Sequence, residues 1–220
     1  MSMISRDKSG FTLLELLVVI AIISLLAVAL LPSISQAMCR AEESETQVRM
    51  VQLVTGIEAF ERRYGVYPPD DFSVILPDRL PVKAKPDAVN SGIESLVIYL
   101  SWKNFGGISL DEHEDWLRNT DGDDNEAVIP LLDRSEKVEV VDAWGTPFVY
   151  FHNRNYAKPQ TIMLPGSAEL AGESETVRAR KNPRSAGYLN PRKFQLISAG
   201  KDLEFGTEDD LIHPPLPVDS

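Results

Sequence analysis

The sequence holds a single cysteine, Cys39, so no intramolecular disulfide is possible. If the domain is exported, the usual staple of exported domains is missing and something else must hold its loops. Its three histidines, His113, His152 and His213, are scattered and lack a second ligand at metal spacing, which excludes a recognisable zinc site. No G-x-S-x-G, P-loop or nucleotide fingerprint is present, no catalytic set can be assembled, and no internal repeat occurs. An enzyme is therefore not expected. Basic residues are outnumbered, 22 against 33 acidic, and the net charge of −11 argues against wholesale nucleic-acid binding.

Charge is scarcest where the chain is most apolar. The stretch Phe11–Pro32, FTLLELLVVIAIISLLAVALLP, carries one charged residue, Glu15. Phe11 to Leu31 as a helix spans roughly 31 Å, about the thickness of a bilayer hydrocarbon core. A carboxylate there costs roughly 2.5–3.5 kcal/mol at the centre of a membrane helix and less near its end, which makes Glu15 a functional candidate. Ahead of it lies the polar leader MSMISRDKSG, with Arg6 and Lys8, ending in Gly10. A secretory signal peptide has a shorter apolar core followed by a small-residue cut site; here the apolar run is too long and the plausible cut precedes it.

A basic leader, Gly10, Phe11, Thr12, and Glu15 five residues after Gly10 resemble the class III leader of type IV pilins and pseudopilins. The resemblance implies cleavage between Gly10 and Phe11 by prepilin peptidase and N-methylation of Phe11. It also implies pairing of Glu15 with the new amine of a neighbouring subunit, which links burial of the two charges. A single helix is not expected to satisfy Glu15, whereas a bundle of identical helices is. The alternative is an ordinary signal anchor that happens to contain Glu15. Arg6 and Lys8 would keep the leader cytoplasmic, with the bulk of the chain outside.

Pro32 removes a helix hydrogen bond and is expected to kink or unwind the helix, at a place where pilin-family helices also carry Pro. Beyond it the sequence favours helix to Tyr64, with Val48, Val51, Val54 or Thr55, Ile57 and Tyr64 on the inner face. Glu42, Glu43, Glu45, Glu58 and Glu61 would lie outside. Gly65 and Pro68-Pro69 end the helix. Next, Gly92–Trp102 reads as a short helix and Asp111–Glu126 as an acidic loop. Glu136–Val141 and Phe148–His152 read as strands around the turn Asp142–Pro147, with Phe194–Ser198 as a third strand. The phrases ERRYGVYPPD and DAWGTPFVYF resemble the helix exit and a signature segment of the major pseudopilin of type II secretion. Residues 153–191 read as an inserted loop. Its basic run Arg178, Arg180, Lys181, Arg184, Arg192 and Lys193 is a solvated or filament-contact patch, with a DNA contact as the alternative.

The segment from Ser198 to Ile212 combines acids with tight-turn glycines, and calcium takes six to eight hard oxygens from such bending loops. Asp202 can converge with Asp209 and Asp210 if Gly206 folds the chain back. The segment resembles the calcium loop of the major pseudopilin; carried over, the ligands are Asp202, Asp209 and Asp210 with carbonyls from Ala199 and Leu211. An acidic surface turn without an ion is the alternative. Metal binding would replace the missing disulfide. A second run, Asp121, Asp123 and Asn125, opens like an EF-hand loop but has Glu126 where Gly is required, and reads better as a solvated loop.

The expectation is thus an α+β pilin-like protein: leader 1–10, transmembrane and filament-core helix 11–32, its continuation 33–67, and a globular domain 68–220 with inserted loops at about 103–134 and 153–191. The long helix would rest on a small antiparallel sheet, with a calcium-stabilised C-terminal loop. The resemblance implies a single-pass protein of the bacterial inner membrane with its domain in the periplasm. It further implies self-association into a filament and contact with an assembly platform and minor pseudopilins.

Overall fold

The computed structural model of the chain describes residues 12–72, 88–101, 110–129, 134–165 and 173–217. The chain divides into two units, Met1–Ala41 and Glu42–Ser220. Helix α1 (Leu13–Tyr64) begins in the first and ends in the second.

In the first unit the helix carries Leu, Ile, Val and Ala all round, and none of its most apolar window is buried. Such a helix has no soluble face, and it is long and apolar enough to cross a membrane. The unwinding expected at Pro32 does not occur: the helix runs through it. Proline removes one rung of the ladder, and the rungs on either side hold.

In the second unit, α1 ends at Gly65, whose φ of +72° supplies the left-handed cap and whose N–H donates to the Glu61 carbonyl at 2.7 Å. The buried stripe is Thr46, Arg49, Met50, Leu53, Ile57 and Phe60. Val48 and Val51, expected inside, are exposed. A three-to-four spacing fits both stripes; Leu53 and Phe60 bury more apolar surface than the valines, at roughly 1.5–3 kcal/mol per side chain.

Helix α2 (Ser91–Leu100) matches the expected short helix and is buried from Gly92 to Leu100. A 3₁₀ segment (Leu110–Trp116), β1 (Leu117–Arg118) and β2 (Asp124–Ile129) occupy the region expected to be an acidic loop. The expected strand Glu136–Val141 is broken into β3 (Arg134–Glu136) and β4 (Glu139–Val140). Its in-out alternation fails because Lys137, Val138 and Glu139 are all buried, Lys137 facing Glu94 and Glu139 accepting from the Thr120 N–H. Strands β5 (Val149–His152) and β8 (Phe194–Ser198) pair antiparallel, Tyr150 opposite Leu196, and β9 (Leu211–His213) continues the sheet beside β8. Strands β1 and β4, and β2 and β3, form two-stranded ladders.

The expected inserted loop 153–191 is also ordered where described. It contains the hairpin of β6 (Gln160–Met163) and β7 (Ser174–Val177), whose Ile162 and Val177 are core residues. Successive residues of a strand face opposite sides, and β5 and β8 use this to build two cores. Tyr150, Phe194 and Leu196 join α1 and α2 in one; Val149, Phe151 and Ile197 join the β6–β7 hairpin in the other.

The first turn of α2 lies so close to the sheet that a Cβ on Gly92 would sit 2.5 Å from the Tyr150 carbonyl oxygen and 2.3 Å from Gln160 Oε1. The backbone oxygen cannot move without breaking β5. Gly92→Ala should therefore destabilise the domain by about 1–3 kcal/mol, the usual cost of overpacking, measured by denaturant unfolding of the detergent-solubilised chain. A change within about 0.5 kcal/mol would show that α2 can withdraw freely.

Candidate functional site

Glu15 lies in the first turn of α1, which Thr12 opens. The Thr12 N–H and hydroxyl both donate to Glu15 Oε2, at 2.9 and 2.8 Å, and the Glu15 N–H donates to Thr12 Oγ1 at 3.2 Å. This is the reciprocal capping box, spelled T-x-x-E in the sequence. Where a single helix was not expected to satisfy Glu15, its carboxylate takes the Thr12 N–H and hydroxyl, while the Glu15 N–H meets Thr12 Oγ1. The motif was readable in residues 12–15; attention to the charge alone missed it. Gly10 and Phe11 lie outside the described residues. Cys39 is half-buried.

In the second unit, α1 is gripped by the turn Asp142–Pro147. The Trp144 indole N–H donates to Glu42 Oε2 at 2.9 Å, so Glu42 is a partner and not an outer-face acid. The Ala143 N–H donates to Thr46 Oγ1 at 3.1 Å, and Arg49 donates to the carbonyls of Val141 (2.8 Å) and Asp142 (3.2 Å). Asp142 organises the turn: Oδ1 accepts from the N–H groups of Trp144 (3.0 Å) and Thr146 (2.9 Å), and Oδ2 from the Ser198 hydroxyl (2.7 Å). Burial pushes the Asp142 carboxyl up to about 6, against the opposing pull of these hydrogen bonds. Trp144 therefore fastens the helix.

The C-terminal loop closes at its base. At Gly200, φ is +73°, and a Cβ there would lie 2.4 Å from the Asp209 carbonyl oxygen, so only glycine fits. Asp209 Oδ2 accepts from the Asp202 N–H at 3.1 Å, and Asp209 Oδ1 from the Thr207 hydroxyl at 2.6 Å. Asp202 Oδ1 accepts from the Glu204 N–H at 3.0 Å. Asp210 turns elsewhere: it forms an ion pair with Arg180 and accepts from the Gly206 N–H at 3.0 Å. Ala199 is buried and Leu211 opens β9 opposite Ser198. The sequence-predicted ligands thus share one loop, with Asp202 and Asp209 joined and Asp210 engaged by a guanidinium.

Arg180 belongs to the basic run expected to be solvated. Gln195 braces that run, accepting from the Arg180 N–H at 2.7 Å and donating to the carbonyls of Arg180 (3.0 Å) and Leu189 (2.6 Å). Lys193 pairs with Glu58 of α1 at 3.3 Å. Charge complementarity inside the domain, invisible to spacing rules, accounts for these two cations.

The run at residues 121–125 is likewise not a solvated loop. Asp121 is half-buried, Asp123 pairs with the buried Lys137, and Asn125 lies on β2. Among the described residues, the group of three acidic side chains with ligating oxygens within 4.8 Å of one another is Glu94, Asp121 and Glu139.

Residues 5–31 match the family model described as the prokaryotic N-terminal methylation motif. The match covers the leader and the apolar half of α1, and it indicates a type IV pilin-like substrate of prepilin peptidase. No curated protein and no solved structure matches the chain.

Because Asp142 sits at about 6 in the fold against an ordinary 3.8, the folded domain holds its proton more tightly than the unfolded chain. Its contribution is fully present below the ordinary value and is lost as pH rises through 6. Relative to Asp142→Asn, wild type should gain about 1–1.5 kcal/mol between pH 8 and pH 5, read by urea titrations at both pH values. Histidines common to both proteins cancel in this difference. A pH-independent gap would mean that Asp142 titrates no differently in the fold.

Proposed function

We propose that the chain is a structural subunit of a type II secretion pseudopilus or a related type IV pilus-like filament. It enters the bacterial inner membrane with its leader cytoplasmic and its domain periplasmic, loses Met1–Gly10 to prepilin peptidase, is methylated at Phe11, and polymerises through α1. The observation that carries this reading is the methylation motif at residues 5–31, joined to an apolar helix that no described residue buries. Bilayer satisfies that helix before assembly; the helices of other subunits satisfy it afterwards. An assembly platform and minor pseudopilins would extract and order the subunits.

In the filament, Glu15 exchanges Thr12 for the methylated amine of a neighbour, which sets the register of one subunit on the next. The capping box supports this: it holds the carboxylate ready while the subunit waits in the membrane. Glu15→Ala should leave membrane insertion and cleavage intact but reduce cross-linked oligomers at least tenfold in cells that carry the assembly machinery. Unchanged assembly would favour a non-polymerising, membrane-anchored calcium-binding protein.

For the C-terminal loop we propose calcium binding through Asp202, Asp209 and Asp210, with the carbonyls of Ala199 and Leu211. Closure of the loop at Gly200 supports it, while Arg180 competes for Asp210 as an internal cation. Calcium should slow tryptic cleavage after Lys201, which is exposed on this loop, and Asp202→Asn with Asp209→Asn should remove the protection. Cleavage indifferent to calcium would leave the loop held by its own hydrogen bonds and the Arg180 pair.

A further inference from the structure

Among the described residues, four acidic side chains and the Lys137 ammonium gather between α2, β4 and the turn that leads from β1 to β2. Glu94, from the first turn of α2, and Glu139, on β4, are both fully buried. Asp121 and Asp123 come from the turn, and Lys137 precedes β4. The turn is built to aim them: Asn119 Oδ1 accepts from the Gly122 N–H at 2.7 Å, and its Nδ2 donates to the Asp123 carbonyl at 2.8 Å. Asn90, itself buried, donates to Thr120 Oγ1 at 2.9 Å, and the Thr120 N–H donates to Glu139 Oε2 at 2.9 Å.

Lys137 pairs with Asp123 and reaches Glu94 Oε2 only at 3.5 Å. Glu94 Oε1 and Glu139 Oε1 are buried and accept no hydrogen bond. A buried carboxylate oxygen left so costs more than the net worth of an ordinary hydrogen bond, and it is suited to accept a cation or a proton. Glu94, Asp121 and Glu139 each offer an oxygen, all within 4.8 Å of one another. Two oxygens bound to one calcium at 2.3–2.6 Å can be no more than about 5 Å apart, so the three can share one ion.

We propose that Glu94, Asp121 and Glu139 form a second calcium site, separate from the C-terminal loop. The donors are hard oxygens, which excludes a thiophilic metal. Two of the three residues are fully buried, leaving little room for the water shell that magnesium keeps, whereas calcium accepts crowded carboxylates. The doubly charged ion would meet the buried oxygens of Glu94 and Glu139 that accept no hydrogen bond. It also ties together α2, β4 and the β1–β2 turn, three segments far apart in a chain without a disulfide. Asp123 and Lys137 form the wall of the site, and their ion pair keeps the ammonium from moving fully onto Glu94.

The test uses the full-length chain in detergent, stripped with a chelator, in the Asp202→Asn/Asp209→Asn background so that the C-terminal loop does not contribute. Equilibrium dialysis against calcium alone should find one bound ion per chain. Glu94→Gln and Asp121→Asn, introduced separately, should each weaken that binding at least tenfold, and equal magnesium should not displace the ion. Glu94→Gln keeps the shape of a buried side chain; if it does not fold, the half-buried Asp121→Asn decides, with circular dichroism confirming its fold. No bound calcium in the background variant would overturn the proposal. So would undiminished affinity in a folded Asp121→Asn variant, which would leave the cluster a proton-sharing buried network.

Discussion

The constraint on which everything else depends is that, among the described residues, none covers the apolar first half of α1. Leu, Ile and Val from Leu13 to Leu31 stand exposed, at roughly 25 cal/mol for each Å² of apolar surface kept in water. That surface is costly in water, and in the function proposed here it passes through two successive solvents, first lipid and then other copies of the helix. In lipid the backbone of α1 is satisfied internally, and at its start the Thr12 N–H is met by the Glu15 carboxylate and the Glu15 N–H by Thr12 Oγ1. The single charge in the apolar run thus has a task in the monomer before it has one in an assembly.

The second unit is organised to hold the other half of the same helix. Asp142 shapes a turn that presents the indole of Trp144, the amide of Ala143 and two carbonyls to Glu42, Thr46 and Arg49, while Met50, Leu53, Ile57 and Phe60 fill the core beside it. Polar clamps fix register along the helix, and apolar burial supplies most of the energy. Ser198, at the end of β8, bonds to the same Asp142 and immediately precedes the C-terminal loop. The helix clamp and the loop therefore meet at one buried carboxylate.

The N-terminal half of this account was legible in the sequence because its signals are local: a basic leader, a spacing of five residues between Gly10 and Glu15, and an unbroken apolar run. The helix stop at Gly65, α2 and the strands β5 and β8 were legible for the same reason, by period and turn chemistry. What escaped depends on partners distant in sequence. Lys137 and Glu139 break the alternation of a strand because Lys137 faces Asp123 and Glu94 and Glu139 takes the Thr120 N–H, partners that no window of a few residues contains. Residues 153–191 have the composition of a loop, yet Ile162 and Val177 complete a core whose other half comes from β5 and β8. The inner face of α1 was misread because two stripes share one period, and only the sheet decides between them.

The central claim is that the chain matures by loss of a ten-residue leader to expose Phe11 as the first residue of an assembly helix. The measurement that tests it most directly is the intact mass and N-terminal sequence of the membrane-extracted protein, made with and without prepilin peptidase. The account predicts a chain beginning at methylated Phe11 only where the peptidase is present. A chain that keeps Met1–Gly10 in its presence, or one cut beyond the apolar run, would contradict it.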